Sequence, residues 1–177
     1  MTPRFWIDTS TFIALDREYY HHDIAPGFWS FVDQQAEQST LCSCRSVHDD
    51  IAVGSDWLTS WATQRSATLF PHLEADPSVQ AQYARVISHV YESYDQAFAS
   101  AFVDGADPWL VAITLAHGGA LVTEETKRTQ PNGARPNRRA AVKLLDICTE
   151  FEVAFVRGHH AAKSLGLRLV LDPTGHG

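Results

Sequence analysis

Cysteine is scarce in this 177-residue chain, which has only Cys42, Cys44 and Cys148. Three is an odd number, and Cys42 and Cys44 lie one residue apart on the same face of any strand, where a bond between them would be strained. A reducing, cytoplasmic compartment therefore fits better than a disulfide framework. Long hydrophobic runs are also missing. The stretch from Ala106 to Glu124, interrupted by Asp107, is far too polar for a spanning helix of about 20 apolar residues. No membrane partner is expected. The chain reaches Asp8 without an apolar signal region, so secretion is not expected either. Neither an internal repeat nor a linker is visible, and the length lies within the roughly 100–200 residues of one domain, so a single domain over residues 1–177 is expected.

Other absences narrow the chemistry. Cys42-Ser43-Cys44 has no second cysteine pair and is not a zinc-ribbon pattern. No nucleophile elbow is present. Nine histidines include the pairs His21-His22 and His159-His160, but no His-x₃-His spacing occurs. Adjacent residues are expected to present their rings to different faces, which argues against a histidine metal site.

Apolar residues make up 45% of the chain and charged residues 20%, enough to bury a core and too ordinary for disorder. Fourteen Lys and Arg against twenty-one Asp and Glu give a net charge of −7. Taken alone, that disfavours nucleic acid. The distribution is uneven, however. Lys127, Arg128, Arg135, Arg138, Arg139 and Lys143 fall in a window without an acid, which carries +6 and leaves eight cations against twenty-one acids, −13, for the rest. A basic loop at about 126–141 is a local footprint for an anionic partner, or else a solvated loop paired with nearby acids.

The elements alternate. Phe5–Ile7 reads as a buried strand, followed by hydroxyl-rich Thr9-Ser10-Thr11 opening a helix. Pro26–Gln38 has Phe28, Trp29 and Val32 at helical spacing; Thr40–Cys44 reads as a strand; Ser46–Ile51 opens a helix; Trp57, Leu58 and Trp61 mark another. From Pro77 to Ala101, apolar residues recur every three or four positions. Asp107-Pro108 reads as an N-cap and first helical position, with Trp109–His117 ending at Gly118-Gly119. Ala120–Thr123 is expected as a strand, Val142–Phe151 as a helix, Val153–Val156 as a strand, His160–Leu165 as a short helix and Leu167–Leu171 as an edge strand. Short strands alternating with helices imply an α/β fold, a three-layer α/β/α sandwich with a central, mostly parallel sheet.

In such sheets ligands bind outside the carboxyl ends of the strands. Asp8, Asp49-Asp50, Asp107 and Glu124-Glu125 all sit at or just after strand ends or at helix starts. Carboxylates gathered on one rim repel each other unless a proton or a divalent cation neutralises them, and oxygen ligands select Mg²⁺ or Mn²⁺. Each also has a plainer reading. Asp8 and Asp107 would serve as helix caps, Asp49 and Asp50 as first-turn acids, and Glu124-Glu125 as an exposed turn.

The segments Trp6-Ile7-Asp8-Thr9-Ser10-Thr11-Phe12-Ile13-Ala14-Leu15, Val47-His48-Asp49-Asp50-Ile51, Ala106-Asp107-Pro108-Trp109-Leu110-Val111-Ala112 and Leu121-Val122-Thr123-Glu124-Glu125 together resemble a PIN domain. More narrowly, they are similar to a bacterial PIN-like branch related to the VapC toxin ribonucleases, over about residues 5–170. That resemblance implies a metal-dependent ribonuclease with Mg²⁺, or Mn²⁺, held by Asp8, Asp107, Asp50 and Glu125, which are also its catalytic acids. Asp50 replaces the more usual glutamate and Glu125 the more usual aspartate. Ser10 and Thr123 would bond a metal water or a ligand carboxylate, and Arg128, Arg135, Arg138 and Arg139 would contact RNA phosphates. Implied partners are the RNA substrate, a cognate antitoxin protein and a second copy in a homodimer, with Tyr19-Tyr20 or Trp57-Trp61 as contact regions. The rival reading is a non-catalytic PIN-like module that binds RNA or protein. A 5′-flap DNA nuclease would need a helical arch, for which no extra segment is visible.

Overall fold

A computed structural model describes residues 4–126 and 140–170. The basic-loop arginines Arg128, Arg135, Arg138 and Arg139 lie outside the described residues.

The sheet is built from very short strands. Phe5–Ile7 (β1), Leu41–Cys42 (β2), Ala120–Val122 (β3) and Phe155–Val156 (β4) are all parallel in the order β2-β1-β3-β4. Their apolar side chains are fully buried in β1 and almost so in β2 and β3, as expected of strands covered on both faces. Helices supply the outer layers of an α/β/α sandwich. They are Thr9–Ala14 (α1), Pro26–Glu37 (α2), Arg45–Ala52 (α3), Trp57–Gln64 (α4), Pro77–Ser93 (α5), Gln96–Val103 (α6), Asp107–His117 (α7), Leu144–Glu150 (α8) and Gly158–Ser164 (α9). A π-helix, Leu15–Tyr19, continues directly from α1. Among the described residues no single helix is long and apolar enough to cross a membrane; α6 and α7 would suffice only as a pair, and they are bent by 67°.

Register decides what faces the carboxyl rim. Ile7 pairs with Val122, and Val122 pairs with Val156. The ladder runs one step further, with Asp8 N donating to Val122 O at 3.1 Å and Thr123 N to Val156 O at 3.1 Å. Asp8, Thr123 and Arg157 therefore leave the sheet side by side. The β3 strand is reached through Gly118 and Gly119, which have φ of 73° and 100°. A Cβ on Gly119 would lie 2.2 Å from the Arg4 carbonyl oxygen, so only glycine lets β3 lie against β1 here.

The core is aromatic near α1, where Phe12 meets Trp61 and Phe70 at centroid distances of 6.0 and 5.6 Å. It is aliphatic under α7, whose Leu110, Val111 and Ile113 are fully buried along with Val79, Val86 and Val90 of α5. Trp61 is core rather than a contact surface, and Trp57 is held between His22 and Trp29. Tyr20 stacks on Phe28 at 4.1 Å, leaving Tyr19 as the exposed member of its pair.

Several boundaries differ from the sequence expectation. The Pro77–Ala101 periodicity is broken at Tyr94 and Asp95, both extended, which separates α5 from α6. The strands expected at 40–44 and 153–156 shrink to two residues each, because β1 offers Phe5 and Trp6 as partners for β2, and β3 offers Leu121 and Val122 for β4. Residues 167–170 join no strand. Leu167 packs on the core, but Leu169 and Val170 are exposed beyond a two-residue edge that offers little to pair with.

Candidate active site

Asp8 follows β1 and is 2% exposed. Its Oδ1 accepts from Thr11 N at 2.7 Å, capping α1, and its Oδ2 accepts from Ser10 Oγ at 3.0 Å. Burial pushes its carboxyl above the ordinary range, against the pull of hydrogen bonds from Thr11, Thr123 and Ser10. The cap and the site are thus one carboxylate in two roles. Ser10 and Thr123 hold carboxylates in place: Thr123 Oγ1 also accepts from Glu125 N at 3.1 Å.

Asp107 does not cap α7; the helix begins at Asp107 itself, and Ala106 occupies the cap position. Its half-buried carboxyl is pushed up to about 7, first by burial, then by the negative charges of Asp8, Glu125 and Asp50, with Lys143 opposing. Those contributions place all four acids within electrostatic reach of one point.

Glu125 is half-buried. Its Oε1 lies 3.8 Å from Lys143 Nζ, while Oε2 is buried with no hydrogen-bond partner among the described residues. Asp50 is exposed on α3 and accepts from Thr9 Oγ1 at 3.1 Å. Its neighbour Asp49 is engaged elsewhere, 3.0 Å from Arg45 Nε and 3.1 Å from His48 Nδ1. Glu124 is engaged elsewhere too. Its carboxylate accepts from Gly158 N at 2.8 Å and from Arg157 Nη1 at 2.9 Å, pinning the start of α9 to the end of β3. In each acidic pair, then, one member is tied to the scaffold and the other joins Asp8 and Asp107.

Three cations and polar groups flank these acids that sequence patterns had not singled out as site residues. Lys143 was legible only as one charge of the basic window. Arg157 and His160, with Thr123, Glu125, Leu145, Phe155 and Val156, line a cleft of about 230 Å³ at the ends of β3 and β4. Arg157 was findable as the first residue after the fourth strand. The Cys148 thiol is pushed up to about 12 by burial and by Asp107, Glu125 and Asp8, so it stays protonated and is no nucleophile.

The donor chemistry of this set suits a hard divalent cation, although no three of these acids bring ligand oxygens within 4.8 Å of one another in this structure, so an ion would have to draw them together. All four donors are carboxylates, one oxygen is buried and unpartnered, and the site holds more negative charge than it can ionise near neutral pH. The histidine pairs, by contrast with expectation, do share a side: the rings of His21 and His22 stack at 4.3 Å, and those of His159 and His160 approach to 4.0 Å. For His21-His22 the irregular backbone of residues 20–25 removes the alternation that a regular strand would impose, while His159 and His160 are successive residues of α9.

What these features define is an α/β protein with a carboxylate cluster on the carboxyl rim of a parallel sheet. A family model described as "Domain of unknown function (DUF4411)" matches residues 5–168, and the chain belongs to that family. No curated protein matches the chain, and no solved structure does.

Proposed function

We propose that the protein is a divalent-metal-dependent ribonuclease of the PIN-like type. The observation that carries this reading is the gathering of Asp8, Asp50, Asp107 and Glu125, with Asp107 pushed up to about 7 by the other three and by burial. Mg²⁺ is the expected cofactor and Mn²⁺ its substitute, because a carboxylate-only site selects hard cations. The cation would be held by Asp8 and Asp107, with Asp50 and Glu125 beside them, and would supply an acidified water and charge stabilisation for phosphodiester hydrolysis.

The chain's own groups do the rest. Thr11, Thr123 and Ser10 hold Asp8 in one rotamer by hydrogen bonds, so the deepest acid needs no reorganisation. Asp107 is anchored by the first turn of a helix that buries Pro108 and Leu110 to Thr114 in the core. Lys143, Arg157 and His160 offer positive or hydrogen-bonding groups to a phosphate approaching an otherwise repulsive rim. The resemblance to VapC-type ribonucleases supports a cytoplasmic toxin role, a cognate antitoxin and a homodimer.

The partition of the acidic pairs is the direct test. Asp8→Asn and Asp107→Asn are each expected to lower RNA cleavage at least about 100-fold. Asp50→Asn is expected to lower it far more than Asp49→Asn. Equal, small effects of all four substitutions in folded protein would move the reading to a non-catalytic module that binds RNA or protein.

A further inference from the structure

About 12 Å along the α1–π-helix segment from Asp8, given eight residues at a helical rise of about 1.5 Å, lies a second group of titratable side chains. Asp16, His21 and His22 bring one ligand atom each within 4.8 Å of one another. Asp16 is 7% exposed, held inward by the π-helix Leu15–Tyr19, a rare turn that often marks a functional site. Its Oδ1 lies 3.2 Å from His22 N and 2.8 Å from His22 Nδ1. The His22 ring is clamped between His21 at 4.3 Å and Trp57 at 4.2 Å, the latter with an interplanar angle of only 2°. Asp23 stands at the mouth, with its carboxylate oxygens 3.5 Å from His22 Nε2 and 3.8 Å from His21 Nδ1.

We propose that Asp16, His21 and His22 form a second metal site, for a zinc-type transition ion, distinct from the carboxylate rim. Two imidazoles and one carboxylate are the donor set of Zn²⁺ and its neighbours, whereas Mg²⁺ disfavours imidazole. Asp16 and Asp23 together offset the ion's two positive charges. The distance between Asp16 Oδ1 and His22 Nδ1 is short enough for both to ligate one ion in place of the proton between them. His21, with a side chain 43% exposed, is the ligand that swings to complete the set and leaves an open entry. Water or Asp23 takes the fourth tetrahedral position. Binding would add a further tie between the segment 20–25, which hydrogen bonds to Asp16 and Leu15 and aromatic stacking already hold, and the π-helix.

The test is a calorimetric titration of Zn²⁺ into the chelator-treated full chain in the presence of excess Mg²⁺, repeated with Co²⁺ for its absorption spectrum. One ion per chain is expected, with a tetrahedral nitrogen and oxygen Co²⁺ spectrum lacking thiolate charge transfer. His21→Ala, which removes only a half-exposed ring, and His22→Ala should each weaken binding at least about 10-fold, while Asp8→Asn should leave it unchanged. No binding, binding indifferent to His21→Ala, or binding lost in Asp8→Asn would overturn the site. None of these readouts depends on whether RNA is cut.

Discussion

Asp107 is the residue on which pH should act most visibly. Its carboxyl holds a proton up to about 7 in the folded chain, against 3.8 for the ordinary group. Between those values the native state binds more protons than the unfolded one, so stability falls as pH rises from about 4 to about 7 and then levels. Asp8, also raised by burial, acts in the same direction. The full effect at Asp107 is on the order of 4 kcal/mol. Urea unfolding at pH 5 and pH 8 should show the wild type weaker at pH 8, with Asp107→Asn removing most of that difference. Saturating Mg²⁺ should restore stability mainly at pH 8, where the acids are ionised and bind it. A pH-independent wild type would contradict the electrostatic account of the site.

At the scale of elements, the two glutamates after β3 should behave oppositely. Glu124 joins β3 to α9 through Arg157 and Gly158 N, so Glu124→Ala leaves the buried Gly158 N–H unpaired, while Arg157 Nη1 keeps the residue's backbone carbonyl, and should cost about 2 kcal/mol in urea unfolding. Glu125 holds an unpartnered buried oxygen among like charges, so Glu125→Gln should cost little or even stabilise, while weakening Mg²⁺ binding in titration calorimetry. Equal losses of stability from both would contradict the division. The alternation of elements was legible because buried strands and amphipathic helices differ in period, and the strand-end position of Asp8 followed from Phe5–Ile7 alone. The resemblance singles out Asp50 and Glu125, and the tie of Asp49 to Arg45 is a local i,i+4 pair, whereas the tie of Glu124 to Arg157 and the Gly158 N–H depends on where β4 and α9 arrive in the fold. Asp107-Pro108 reads as a cap in sequence; starting the helix one residue earlier is a tertiary choice that turns its carboxyl inward. The His21-His22 stack was hidden for a related reason, since it depends on irregular backbone and on Trp57, which lies 35 residues beyond His22.

For the whole molecule, charge is the organising fact. A chain of net charge −7 gathers four acids on one rim and surrounds them with Lys143, Arg157 and His160. A hard cation resolves the repulsion and at the same time makes the rim attractive to a phosphodiester. Cleavage of a mixed structured and single-stranded RNA pool by the purified chain, with Mg²⁺, with Mn²⁺ and with EDTA, is the most direct test. The account predicts cutting with either cation and none with EDTA. Cutting that persists undiminished in EDTA, or folded and partner-free protein that cuts no RNA with either cation, would contradict it.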